Sequence, residues 1–213
     1  MTRLLIIRHG QSMANVEEVF AGHFDSPPSE LGLLQAKKTA EYVCSTYKID
    51  KVYTSDLKRA YAVGRAVCDI IGGDPIPDEN LREISAGLWE GKRFEELFES
   101  FEMYRETWLH DIGKVTCDGG ESVAHLQERF VSALKRISEE NDGKTVVIAT
   151  HATPIRSLRC YCAEKPIEEM KNIRWVTNAS VSVFECENGK FAEILAGYDE
   201  HLGELVTRFP AKV

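Results

Sequence analysis

The sequence predicts an α/β protein: a three-layer αβα sandwich on a mixed, mainly parallel sheet with one antiparallel edge strand. Short continuous apolar runs alternate with stretches of helical period, the pattern of parallel strands joined by crossover helices. Each run ends in a polar or turn residue, as strands buried on both faces do. Near the end of the chain Asn188-Gly189 sits between two apolar runs, a hairpin signal that reverses the direction of the chain.

Leu4 to Ile7 is the first buried strand and closes on Arg8-His9-Gly10. Leu31, Leu34, Val43 and Tyr47 mark a helix, and Lys51 to Thr54 a second strand. The next helix carries Leu57, Ala60, Val63, Val67 and Ile70, with Ser55 as its expected N-cap and Asp56 in its first turn. From Gly91 to Gly120 the alternation breaks. Phe94, Leu97, Phe98, Phe101, Trp108 and Leu109 recur there at helical spacing without a strand, which predicts one or two excursion helices. Val123, Leu126, Phe130, Leu134 and Ile137 begin the pattern again, followed by a strand over Thr145 to Thr150. Thr153 and Pro154 suit the N-cap and first position of a helix just past His151. Val181 to Phe184 and Phe191 to Leu195 form the hairpin.

A chain of 213 residues with 43% hydrophobic and 28% charged residues reads as one domain, 1–213, able to bury a core of its own. Its 34 acids against 26 bases give a net charge of −8, which argues against general nucleic-acid binding. No apolar run reaches the roughly 20 residues of a membrane helix, and Leu4 to Ile7 is too short for a signal-peptide core. The expected location is cytoplasmic, with no membrane or nucleic-acid partner. Six cysteines without a C-x-x-C pair read as reduced thiols. Nothing in the sequence specifies an oligomeric state.

Four segments carry chemistry. In open α/β sheets ligands bind beyond the carboxyl ends of the strands, where Arg8-His9-Gly10 and His151 both fall; Asn15 can reach the same crevice. Arg59, in the opening turns of the helix after Ser55, can offer a planar fork to phosphoryl oxygens, and helix N-termini attract anions. Glu83 stands near Trp89 and among glycines that permit tight turns, a setting for a proton donor. Each segment alone has a plain alternative: an incidental turn, a solvated arginine, a carboxylate paired with Arg82. Together they converge on one edge of one sheet. His9, His23, His110, His125, His151 and His201 form no metal-binding spacing, and there is no P-loop, G-x-G-x-x-G or G-x-S-x-G. Neither a metal nor a cofactor is implied.

These residues resemble the histidine phosphatase superfamily, in its phosphoglycerate-mutase-like branch. The resemblance runs in order through Arg8-His9-Gly10 and Asn15, Gly22-His23-Phe24-Asp25, Leu31-Gly32-Leu33-Leu34-Gln35-Ala36 and Ser55-Asp56-Leu57-Lys58-Arg59-Ala60. It continues through Leu81-Arg82-Glu83, Gly87-Leu88-Trp89-Glu90-Gly91, Gly120-Glu121-Ser122 and His151. It implies that His9 is a nucleophile that becomes phosphorylated, that Arg8, Arg59 and His151 hold the phosphoryl group, and that Glu83 is the proton donor. Asn15 and Ala152 are then substrate contacts, Ala152 through its backbone N–H where the family usually has glycine. Two guanidinium groups and an imidazolium would stabilise a phosphoryl group in flight without a metal. Neutral imidazole is the attacking species, so the other ring nitrogen of His9 should donate to a backbone carbonyl.

A second departure from the family pattern, Arg59-Ala60-Tyr61-Ala62-Val63-Gly64, loses a helix hydroxyl and bears on packing. Mutases of the family enclose their substrate with a base-rich excursion, whereas the 91–120 segment supplies only Lys92, Arg93, Arg105 and Lys114. The expected activity is therefore metal-independent hydrolysis of a small phosphorylated metabolite. The alternatives are a cofactor-dependent phosphoglycerate mutase and a non-catalytic relative that binds phosphoryl groups or proteins.

Overall fold

Leu4, Leu5, Ile6 and Ile7 are all fully buried because successive side chains of one strand enter two different cores. The computed structural model describes residues 1–100 and 102–207. In chain order, β1 (Thr2–Arg8), α1 (Met13–Val16), α2 (Glu30–Thr46), β2 (Lys51–Thr54), α3 (Lys58–Ile71) and β3 (Ile76–Pro77) make the first half. There follow α4 (Phe94–Ser100), α5 (Glu102–His110), α6 (Val123–Glu140), β4 (Thr145–Thr150), α7 (Ala152–Cys162), β5 (Val181–Glu187) and β6 (Lys190–Tyr198).

The six strands stand in the order β3-β2-β4-β1-β5-β6. β1 and β2 both pair parallel to β4, and β2 pairs parallel to β3. The antiparallel pairings lie at the other edge, β1 with β5 and β5 with β6. There Asn188 and Gly189, with φ of 49° and 72°, make the two-residue turn that the Asn-Gly pair calls for. β3 had no signal in the sequence. It is a two-residue exposed edge containing a proline, a residue confined to edges because it cannot donate to a ladder.

Leu4, Ile6, Val146 and Ile148 face α6 and α7 and pack with Phe130, Leu134, Ile137, Ile155 and Leu158. Leu5, Ile7, Val147 and Ala149 face α2 and α3, against Ala36, Ala40, Val43, Val63 and Val67. Each fully buried Leu or Ile contributes about 1.5–3 kcal/mol relative to exposure. The face α2 buries is Gly32, Gln35, Ala36, Thr39, Ala40 and Val43, while Leu34 is exposed and Leu31 only half-buried. Small side chains there let the helix sit close to the sheet, which a reading keyed to large apolar residues misses.

The excursion forms two α-helices, α4 and α5, over a third core containing Phe20, Ile84, Trp89, Leu97, Trp108 and Ile112. Phe101 and the side chains of Phe98 and Arg105 lie outside the described residues. The Phe20 N–H donates to the Lys92 carbonyl and the Phe94 N–H to that of Glu18, so the excursion is tied to the chain just after α1. No helix among the described residues is long and apolar enough to cross a membrane.

Candidate active site

β1, β2 and β4 run parallel, so their carboxyl ends share one edge of the sheet, and the residues that follow them meet there. The His9 N–H donates to the Thr150 carbonyl and the Ser55 N–H to that of Ala149, each at 2.9 Å, which extends the ladder one step past the strands. His9 and His151 are thereby brought edge to face, with ring centroids 5.1 Å apart. Behind His9 the backbone is closely packed: a Cβ on Gly10 would lie 2.3 Å from the Gly32 carbonyl oxygen. The Gln11 N–H donates to Gln35 Oε1 at 2.8 Å, so Gly32 and Gln35 of α2 hold the loop that carries the histidine.

His9 Nδ1 lies 2.6 Å from the Gly10 carbonyl oxygen. A carbonyl can only accept, so Nδ1 carries the proton and Nε2 presents its lone pair. Burial, then Arg59 and Arg8, hold the His9 imidazole well below its usual range and keep it neutral. His151 is lowered in the same way by burial and then by Arg59 and His9. A second charge beside Arg59 in a buried pocket is disfavoured, which favours a neutral His151 over the expected imidazolium. It is fully buried against His9 and Ser55, with Nε2 2.9 Å from Ser55 Oγ.

Arg8 and Arg59 supply the positive charge. Arg59, 1% exposed, donates to the carbonyls of Gly22 at 2.7 Å and Phe24 at 3.0 Å. Arg8 donates to the Val176 carbonyl at 2.7 Å. Burial pushes both guanidinium groups down to about 10, against the opposing pull of Glu83, so both are charged at neutral pH. Glu83 is held by two backbone N–H groups, Ile84 to Oε1 at 2.8 Å and Thr153, at the start of α7, to Oε2 at 3.3 Å. Its own carbonyl receives His23 Nε2–H at 2.9 Å and Arg129 at 3.1 Å, and Arg129 in turn pairs with Glu121. Gly87, with φ of 53°, passes so close to Asp118 that a Cβ would lie 2.3 Å from its carbonyl oxygen, which explains the glycine in that turn.

A cavity of about 160 Å³ opens over this group. Arg8, His9, Asn15, Arg59, Glu83 and Ala152 line it together with the apolar Val19, Phe20, Phe94, Trp108 and Trp175. The site can present a lone pair to phosphorus, hold the phosphoryl oxygens with two cations and set a carboxyl beside them. Among the described residues no group of three or more His, Cys, Asp or Glu is placed to hold a metal ion.

The model of the histidine phosphatase superfamily (branch 1) matches residues 4–197. The chain belongs to that superfamily. Phosphoserine phosphatase 1 of Hydrogenobacter thermophilus is 30% identical over 96% of both chains. Phosphoglycerate mutase-like protein 4 of Arabidopsis thaliana is 31% identical over 94% of this chain and 87% of its own. Among solved structures, YhfR of Bacillus stearothermophilus superposes with a TM-score of 0.90 at 27% identity, covering 95% of this chain and all of its own. This histidine phosphatase is accordingly a phosphomonoester hydrolase.

The structure brings His9, Arg8, Arg59, Glu83, Asn15 and Ala152 to the cavity of this histidine phosphatase, and sets the ring of His151 edge to face with that of His9. Three local readings are corrected. α3 begins at Lys58, not after Ser55: its N-cap is Leu57, and the Lys58 N–H donates to Asp25 Oδ1 from a distant segment at 2.8 Å. Asp56 precedes that helix and pairs with Arg82, so the Arg82–Glu83 pairing does not form. α7 begins at Ala152 with His151 as N-cap, because the strand ends directly into the helix; Thr153 and Pro154 lie inside its first turn. The altered pattern after Arg59 is accommodated: Val63 is buried, and a Cβ on Gly64 would meet Thr54 and Pro75 at 3.1 and 3.2 Å.

Sequence reasoning missed Asn178, whose Nδ2 donates to the His9 carbonyl at 3.2 Å and to Asn15 Oδ1 at 3.3 Å. It also missed Trp175 and Thr207, which line the cavity. A weak signal was available for Asn178 alone, as a polar side chain just before a strand of the hairpin.

Proposed function

We propose that the neutral His9 Nε2 attacks phosphorus, forming the N–P bond as the ester P–O bond breaks. Arg8 and Arg59 neutralise the phosphoryl oxygens, with Asn15 and the Ala152 N–H as further contacts and His151 as a neutral donor. Glu83, in its protonated form, gives its proton to the leaving alkoxide. As a carboxylate it then takes a proton from water, whose oxygen attacks phosphorus and releases phosphate and free His9. Glu83 suits both steps because the Ile84 and Thr153 N–H groups fix its position at the cavity.

The substrate in this reading is a small phosphomonoester with an apolar alcohol part. The observation that carries it is the apolar lining of Val19, Phe20, Phe94, Trp108 and Trp175, with Arg8 and Arg59 the cations that line the cavity among the described residues. Lys92, Arg93 and Lys114 of the excursion do not line it, and Lys114 pairs with Asp111 at 2.6 Å. That arrangement supports hydrolysis over the mutase alternative, which has to retain a phosphorylated acid until a second transfer. We further read the chain as one domain, 1–213, in the cytoplasm, in keeping with its six free thiols. A panel of phosphomonoesters scored by phosphate release tests the reading. The expected order puts 1-naphthyl phosphate at least tenfold above 3-phosphoglycerate and phosphoserine in kcat/KM. Rapid isomerisation of 3-phosphoglycerate, primed by a bisphosphate and with little phosphate release, would establish the mutase instead.

A further inference from the structure

A neutral imidazole donates from one nitrogen only, so the position of its proton decides whether His151 can serve a phosphoryl oxygen. Ser55 and His151 are both fully buried, with Ser55 Oγ 2.9 Å from His151 Nε2. The same oxygen accepts the Leu57 N–H at 3.4 Å. The hydroxyl proton of Ser55 then has one acceptor within hydrogen-bonding distance among the described residues, His151 Nε2. With the proton on Nε2 instead, the Ser55 hydroxyl and a bare Nδ1 would both be buried without a partner; with it on Nδ1, a single N–H is left over. His151 Nδ1 is buried and has no partner among the described residues, while its ring stands 5.1 Å from that of His9. An anion on His9 Nε2 would complete it. Ser55 is itself fixed, its N–H donating to the Ala149 carbonyl and its carbonyl accepting from Thr54 Oγ1, each at 2.9 Å.

We propose that Ser55 is a positioning residue whose hydroxyl donates to His151 Nε2, keeping the ring proton on Nδ1 as a donor for the phosphoryl group on His9. The inference rests on the reading of His151 as a phosphoryl contact, and the test separates the two. Long-range ¹H–¹⁵N spectra of the labelled protein report the tautomer of His151 without any substitution. The expected spectrum shows a protonated Nδ1 and an unprotonated Nε2, with Nδ1 shifting when vanadate is added. Ser55→Ala should move both nitrogens toward a mixture of tautomers and slow phosphohistidine formation from an aryl phosphate by roughly 10–100-fold, a single preorganised donor being at stake. Ser55→Thr, which keeps the hydroxyl, should restore both. A proton on Nε2 in the unsubstituted protein, or a Ser55→Ala variant with unchanged tautomer and rate, would overturn the role of Ser55. A protonated Nδ1 that vanadate leaves unmoved would overturn the reading of His151 and the purpose of the hold with it.

Discussion

Lowering the pH should destabilise this protein through its two catalytic imidazoles, by an amount the site itself sets. His9 is 4% exposed and His151 0%, and burial with Arg59, joined by Arg8 at His9, holds both well below the usual histidine range. In the unfolded chain each binds a proton near pH 6.5, so as pH falls the unfolded state gains protons that the folded state does not. The contribution is therefore fully present above about pH 6.5 and is lost as pH falls below it. Between pH 7.5 and 5.5 each histidine that stays neutral when folded costs about 1.4 kcal/mol, and the pair about 2.7 kcal/mol. Urea unfolding at the two pH values, on the natural chain and on a His9→Gln, His151→Gln double variant, isolates that amount because other titrating groups cancel. The natural chain should lose about 2–3 kcal/mol more stability than the variant. Equal losses would mean that both folded imidazoles take up protons in this range, and would refute the argument for a neutral nucleophile.

Replacing Glu83 by Gln keeps the shape of the side chain but removes its proton, so turnover of alkyl esters should fall by roughly 10²–10⁴. An aryl ester, whose leaving group needs little protonation, should lose much less; equal losses in steady-state assays would assign the acid elsewhere, with Glu90 the next carboxylate to try. Because Arg8 and Arg59 supply the charge that stabilises the transferring group, phosphate release should survive EDTA and be inhibited by vanadate. Loss of activity on chelation, restored by a divalent ion, would contradict that role.

What was legible in the sequence is what the backbone dictates locally. His9 and His151 stand directly after buried strands, and parallel strands necessarily bring such positions to one edge. Arg59 and Glu83 were legible through the motifs around them, and the structure gives the reason for those motifs: Gly22 and Phe24 hold Arg59 by their carbonyls, and Gly32 lets α2 press against the loop of His9. The features that were not legible depend on contacts between distant segments. Asp25 supplies the hydrogen bond at the start of α3 that Ser55 was expected to give, which frees the Ser55 hydroxyl for His151. Asn178 reaches the His9 carbonyl from the far end of the chain, and Trp175, beyond α7, meets Trp108 of the excursion. The neutrality of His151 likewise follows from burial beside Arg59, which no local pattern encodes.

The most direct test of the account is to trap the intermediate. A substrate labelled in its phosphoryl group, quenched in alkali during turnover, should leave one labelled protein species. The adduct should be stable to base and labile to acid, as a phosphoramidate is, map to the peptide containing His9, and be absent from His9→Ala. Turnover without an adduct, or an adduct that persists in His9→Ala, would contradict the assignment of His9 as the nucleophile.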